Sequence, residues 1–264
     1  MPYVSAKHRA AAGRRTDWVT DVLKVDLHLH TAEDPVDRIP HTAAALIDRA
    51  ADLGFGALAI TLHDRPLEDP RLRDRARERG VVLIPGIERT IRGRHVLLLN
   101  CPPAAAGSVH TLDDVARIKA RHGALVIAPH PFFPGRSCIG SSLDAYAGLF
   151  DAVEWSYFWT RGINFNRRAA RWAADYGKPL VANSDLHDLR QLGRTFSWVA
   201  AAADPAAICE AIREGRVVPR SSPVPPLELA AVFGGMMLGG SRRDVGLRTH
   251  ESPEGRNALE DPAV

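Results

Sequence analysis

Six of this chain's eleven histidines fall at the margins of short apolar runs. His28 and His30 stand in Val25-Asp26-Leu27-His28-Leu29-His30-Thr31, His63 in Ile60-Thr61-Leu62-His63-Asp64, and His95 opens the run His95-Val96-Leu97-Leu98. His130 lies in Ala128-Pro129-His130-Pro131, and His187 closes Asn183-Ser184-Asp185-Leu186-His187. Residues two apart on an extended strand point to one face, so His28 and His30 can offer a metal two imidazoles from one rigid element. Asp185 and His187 repeat that spacing on the last strand. Glu88, after Ile84-Pro85-Gly86-Ile87, ends another, and a carboxylate there can bridge two cations about 3.5 to 4 Å apart. Any one of these residues alone reads as structural. Together, six histidines and several acids at the strand ends of one domain would be buried repelling or unsatisfied unless cations joined them. Coordinated divalent metal is therefore expected, and imidazole with carboxylate suits Zn, Mn and Fe alike. His8, His41, His110, His122 and His250 fall in tails or on helix faces and read as solvated or structural.

The elements that must position these residues follow from the patterning. Seven short runs read as strands: 25–29, 57–62, 81–84, 95–99, 125–128, 152–155 and 180–182. Helical periodicity covers 43–53, 71–79, 112–121, 166–176 and 206–213. Gly54, Gly80, Gly123 and Gly177 stand where helices stop, and Thr111 with Asp114 outlines a capping box. Alternating strands and helices predict an α/β fold, one barrel-like domain over 21–220, with the site at the carboxyl ends of its strands. An Ala- and Arg-rich extension (1–20) is expected to be poorly ordered. A Pro- and Gly-rich extension (221–264) is expected to be partly disordered, with its apolar patch Ala230–Leu238 packed on the barrel or on a second subunit.

Composition narrows the function further. With 34 basic against 31 acidic residues, the net charge of +3 is too small to argue for long nucleic acid or a membrane surface. Three widely spaced cysteines, Cys101, Cys138 and Cys209, form no disulfide framework and no cysteine zinc motif. No apolar run reaches the roughly 18 residues of a spanning helix, and the N-terminus lacks the apolar stretch of a signal peptide, so a cytoplasmic protein is expected.

The segments quoted above, in that order and with Gly86-Ile87-Glu88 among them, resemble the PHP (polymerase and histidinol phosphatase) superfamily from about Val25 to Val199. The resemblance implies a distorted (β/α)7 barrel carrying two or three divalent metals, consistent with the seven runs. It implies that His28, His30, Glu88 and Asp185 hold a first metal, and that Glu88 bridges to a second held by His95 and His130. His63 and His187 would hold a third, with Asp34 from the loop 31–37 as the added ligand and Asp37 as the alternative. Leu62 departs from the family, where an Asp often precedes the histidine, and Asp64 is the candidate to support His63 in its place. Such cations bind phosphate oxygens and activate water, so the expected activity is a metal-dependent phosphoric ester hydrolase. Glu88 and Asp185 would serve catalysis through the metals. An arginine fork matches two phosphate oxygens, which nominates Arg194 as a catalytic and substrate-binding residue, with Arg161 as a second substrate contact. Glu154 reads as a support for the ligands, a substrate group or a satisfied barrel carboxylate. The expected substrate is a small phosphorylated metabolite or short nucleotide; the alternatives are a nuclease and a non-catalytic metal-binding module.

Overall fold

The structure is a computed structural model that describes residues 21–239; the extension at 1–20 and the last 25 residues lie outside the described part. Nine strands alternate with helices in the order β1 (Val22–Leu29), α1 (Ala43–Asp52), β2 (Ala57–Ile60), α2 (Pro70–Glu78), β3 (Val82–Ile91), β4 (Arg94–Leu99) and α3 (Pro103–Gly107). There follow α4 (Leu112–His122), β5 (Leu125–Ala128), α5 (Ser142–Ala145), β6 (Ala152–Ser156), α6 (Asn166–Asp175) and β7 (Leu180–Asn183). A 3₁₀ turn (Leu189–Gln191), β8 (Thr195–Ala200), α7 (Pro205–Arg213), β9 (Val217–Ser221) and α8 (Pro226–Gly239) complete the chain.

All nine strands belong to one sheet, ordered β7-β6-β5-β4-β3-β2-β1-β8-β9. The sheet curls until the residues after β7 meet β1 in parallel, through Leu29 and Leu186. His30 N–H donates to Leu186 O at 3.0 Å and Leu186 N–H to His28 O at 3.3 Å. Side chains extend this seam: Asn183 Oδ1 accepts from Leu27 N–H at 3.0 Å, and Asp26 Oδ1 from Ser184 N–H at 3.1 Å. The seven expected strands thus form a nearly closed barrel, with β8 and β9, joined through α7, as an antiparallel pair beside β1.

One strand breaks the β/α alternation. β4 runs antiparallel to both β3 and β5, so its first residues lie at the same end of the barrel as the last residues of its neighbours. That reversal brings His95, at a strand start, to the face where the other histidines sit at strand ends. β3 also runs on to Ile91 instead of stopping at 84, so Glu88 is inside a strand and not at its end. Ile84, Gly86 and Glu88 share one face of β3 by the two-residue period. Gly86 is required there, because a Cβ would stand 2.8 Å from Leu99 and 2.9 Å from Thr61.

Residues from all seven barrel strands build the interior below the site, including Val25, Leu27, Ala59, Ile84, Leu97 and Ile127, and α7 packs on them with Ile208 and Ile212. Leu29, two positions after Leu27, packs instead with Leu46, Ile47 and Leu72 under α1 and α2. Between Asp26 and Leu29 the register with β2 shifts, the local re-aiming that a bulge gives next to a site. The helices start and stop as their residues dictate. Thr111 and Asp114 form the expected capping box, and Gly123 ends α4 with φ 66°, a conformation cheap only for glycine. α8 reaches back over the barrel, burying Val232 with Val224, Tyr157 and Phe158. Of the apolar patch, Val232 is buried in this way, while Ala230 and Ala231 are exposed. No helix among the described residues is long and apolar enough to cross a membrane.

Candidate metal centre

Glu88 is the hub of the site, 1% exposed at the carboxyl end of the barrel. Its Oε2 lies 3.2 Å from His28 Nε2, 3.3 Å from His30 Nε2 and 3.2 Å from His63 Nε2. Its Oε1 lies 2.6 Å from His95 Nδ1 and 3.3 Å from His130 Nε2. Asp185 Oδ1 completes the cluster at 3.4 Å from His28 Nε2 and 3.5 Å from His30 Nε2. His187 Nδ1 donates to the Asp185 carbonyl at 2.9 Å, and its Nε2 lies 3.2 Å from Asp37 Oδ2.

The ligand-facing nitrogens are set by partners on the opposite side of each ring. Glu154 Oε1 holds His28 Nδ1 at 2.9 Å while also accepting from Asn183 Nδ2 at 3.0 Å, and its Oε2 accepts from His130 N–H at 2.8 Å. Asp34 Oδ2 lies 3.1 Å from His30 Nδ1 and 3.0 Å from His63 Nδ1. Cys138 Sγ lies 3.3 Å from His130 Nδ1. A carboxylate behind an imidazole fixes its tautomer and raises the basicity of the other nitrogen, the usual outer support of a metal ligand.

Three buried nitrogens in the cluster, His28 Nε2, His30 Nε2 and His95 Nδ1, have no hydrogen-bond partner despite facing carboxylate oxygens. Orphaned polar atoms are costly, and these point to shared positions between the side chains, not along hydrogen bonds to one another. Triads able to hold a cation recur around them: His28 with His130 and Asp185, His28 with His30 and Glu88, and His63 with Glu88 and His95. His30 belongs to two more, one with Asp34 and His63, the other with Asp185 and His187. The donor set fits divalent metal.

Charge tells the same story. Burial alone would lower the His28 pKa, but Asp185, Glu88 and Glu154 outweigh it and raise it to about 10. Although burial opposes ionisation of Glu88, the imidazoles of His95, His28 and His63 hold its carboxyl well below the usual range. Without cations, protons must supply the positive charge here; a bound cation takes over that role. Two residues of the cluster also sit in left-handed backbone, His130 at φ 31° and Asp185 at φ 47°. Such strain in non-glycine residues persists where surrounding structure over-determines it.

Of the residues nominated from sequence, the structure brings His28, His30, His63, Glu88, His95, His130, Asp185 and His187 into one cluster. Several positions differ from expectation. Asp185 and His187 follow β7, which ends at Asn183, so they share no strand face. Both loop acids are present, in different settings. Asp34 is fully buried, and its Oδ1 is taken by the amides of Val36 at 2.8 Å and Asp37 at 3.0 Å. Asp37 reaches the margin beside His187 and lies 3.8 Å from His63 Nδ1. Asp64 accepts from Thr90 N–H at 2.7 Å and pairs with Arg89 at 3.3 Å. Arg194 is committed elsewhere, to Glu228 at 3.0 Å and Pro223 O at 3.3 Å, and touches no cluster member among the described residues. Arg161 is exposed in the loop after β6 and likewise makes no contact with the cluster. His41 is buried, not solvated, and its Nε2 lies 3.0 Å from His30 O. His110 is exposed and His122 half-buried, while His8 and His250 lie outside the described residues. Cys138, eight residues on from His130, carries no mark of this role in the sequence; the path of the loop between them sets it behind the ring.

A family model described as PHP-associated matches residues 164–217. Over 65 residues the chain is 42% identical to the PolC-type DNA polymerase III of Caldanaerobacter subterraneus subsp. tengcongensis, a match covering 25% of this chain and 5% of that polymerase. The fold is similar to a two-domain Bacteroides vulgatus protein containing a predicted PHP-like metal-dependent phosphoesterase, with TM-score 0.61 and 20% identity over 86% of this chain and 75% of that one. It is also similar to a lesion-specific endonuclease from Pyrococcus furiosus, with TM-score 0.54 and 18% identity over 74% of this chain and 56% of that one.

Proposed function

We propose that this chain, a member of the PHP superfamily, is a metal-dependent phosphoesterase that hydrolyses a phosphate ester of a small metabolite or short nucleotide. The observation that carries this reading is the sharing of one buried carboxylate, Glu88, among five imidazoles, an arrangement suited to cations held side by side. Bound divalent cations supply Lewis-acid polarisation of phosphoryl oxygens and acidify water.

The chain's own residues do the rest. Glu88 divides its two oxygens between the His28, His30 and His63 side and the His95 and His130 side. Glu154 and Asp34 keep the Nε2 atoms of His28, His30 and His63 turned inward, which fixes the ligands before substrate arrives. Asp185 adds negative charge beside His28 and His30. The burial of these groups excludes bulk water and strengthens every electrostatic contact with a bound phosphate.

A nuclease is the second reading, favoured by the likeness to the endonuclease fold. Glu88→Gln tests the proposed chemistry. It keeps size and removes the shared charge, so at least one metal equivalent is lost and turnover of phosphomonoesters falls about a hundredfold or more. Full metal content with wild-type turnover overturns the bridging role. Release of phosphate from wild-type protein across phosphomonoesters, set against cleavage of single- and double-stranded DNA, decides between the two readings.

A further inference from the structure

A cleft of about 220 Å³ opens beside the metal centre, and Asp37 and His187, which face each other at 3.2 Å in the cluster, also line it. Ile39, Pro40, Ala231 and Val232 line it with apolar residues, and Arg38, Arg190 and Asp188 complete the lining, Asp188 being paired with Arg190. We propose that this cleft is a subsite for a second anionic group on the substrate, a carboxylate or phosphate held by Arg38 and Arg190 while the scissile phosphate lies at the cluster. The proposal rests on the phosphoesterase reading and specifies its substrate class: a small phosphoester whose far end is negatively charged.

Three features support it. Arg38 is exposed and makes no ion pair among the described residues. Arg190 is oriented by a fork on Asp188, with Nε at 2.9 Å from Oδ1 and Nη2 at 2.8 Å from Oδ2. A guanidinium has five donors, so that fork leaves three for a ligand. The wall formed by α8 is anchored, because Glu228 accepts from Tyr157 Oη at 2.9 Å and pairs with Arg194 at 3.0 Å, and Val232 is buried. A preformed pocket holds a ligand without the cost of ordering its walls. Arg194, nominated from sequence to clamp phosphate, is thus spent on the wall, and the arginines aimed at substrate come from the loop after β1 and the 3₁₀ turn after β7.

Binding to the metal-loaded protein tests this without turnover, since phosphonates resist hydrolysis. Calorimetry compares ω-phosphonocarboxylates with two, three or four methylenes against alkylphosphonates of matched length. At least one phosphonocarboxylate is expected to bind about tenfold or more tightly than its partner, the scale of a charge-assisted hydrogen bond. Arg38→Gln with Arg190→Gln should erase that preference while metal content stays full, and Arg190→Lys should restore part of it. Equal affinity within every pair, or a preference that survives the double substitution, overturns the subsite. A preserved preference in a wild-type protein that releases no phosphate from any ester leaves the subsite standing and removes the phosphoesterase reading instead.

Discussion

Cys138 sets its sulfur 3.3 Å from Nδ1 of His130, the only cluster imidazole backed by sulfur among the described residues. His28, His30 and His63 have carboxylates in the equivalent place, and His187 has a carbonyl oxygen. A thiol is a weak acceptor, so the His130 ring is the least firmly oriented of these imidazoles. Cys138→Ala should weaken one metal equivalent by about tenfold, the lower end of what lost outer support costs, while the remaining equivalents keep their affinity. Cys138→Ser should recover part of the loss. Stepwise metal titration reads this, and identical isotherms for Ala and wild type would show that the sulfur does not position the ring.

The two loop acids should separate by what they support. Asp34 accepts from the amides of Val36, Asp37 and His63 as well as facing two imidazoles, so Asp34→Asn puts an amide donor against donors in a buried place. A loss of about 1 to 3 kcal/mol in stability is expected, together with reduced metal content. Asp37→Asn, at a half-buried margin, should leave the melting temperature of the metal-free protein within a degree or two and remove metal only from the His187 side. If Asp34→Asn folds as stably as wild type, its hydrogen-bonding role is wrong.

In metal-free protein the pH dependence of stability follows from buried groups shifted in opposite directions. His28, raised to about 10, adds stability that is complete below its unfolded pKa of about 6.5 and is lost as pH climbs through 10. Burial first, only partly offset by hydrogen bonds from Ser184 and His28, raises Asp26 to about 7. The folded state therefore keeps a proton that the unfolded chain releases near pH 4, and stability falls between about 4 and 7. The lowered carboxyls of Glu88 and Asp185 act oppositely, adding stability above their unfolded range and losing it in acid. With chelator present, the melting temperature should peak near about pH 5 and decline to pH 10. Metal displaces these protons, so uptake at pH 7 should release protons and move the optimum upward. A flat profile in chelator from pH 5 to 9 would contradict this charge assignment.

Much of this architecture is legible in the chain. All seven barrel strands and five of the helices stand where apolar runs and periodicity place them, because in each the local pattern and the buried face agree. β8 escaped, although Thr195–Ala200 alternates buried and half-buried residues as a strand should. β9 contains Pro219, which signals an edge and weakens any strand reading. The members of the cluster are readable because histidine and carboxylate have few other reasons to recur beside short apolar runs. The supports are less so: Asp34, nominated as a ligand, sits behind His30 and His63, Cys138 gives no signal although it is only eight residues from His130, and Glu154 meets His28 across the barrel. Arginine gives the poorest signal, since abundant arginines look alike in sequence, and what sets Arg194 apart, its half-buried place against Glu228 and Pro223, comes from segments some thirty residues on.

The seam between β1 and the residues after β7 is short in backbone hydrogen bonds and rich in ligands. His28 and His30 come from one side of it, Asp185 and His187 from the other, and more than 150 positions of chain separate the two sides. Glu88 and His95, by contrast, ride on a single hairpin whose turn is Arg92-Gly93. During folding the hairpin's pair can meet early, while the seam's pairs wait for the ring to close against a large loop entropy. Cation affinity is then a clasp on that closure: ions that bind only the closed ring add stability in proportion to the logarithm of their concentration. Depleting them should quicken amide exchange at His30 and Leu186 first, opening the ring at its joint before any helix is lost.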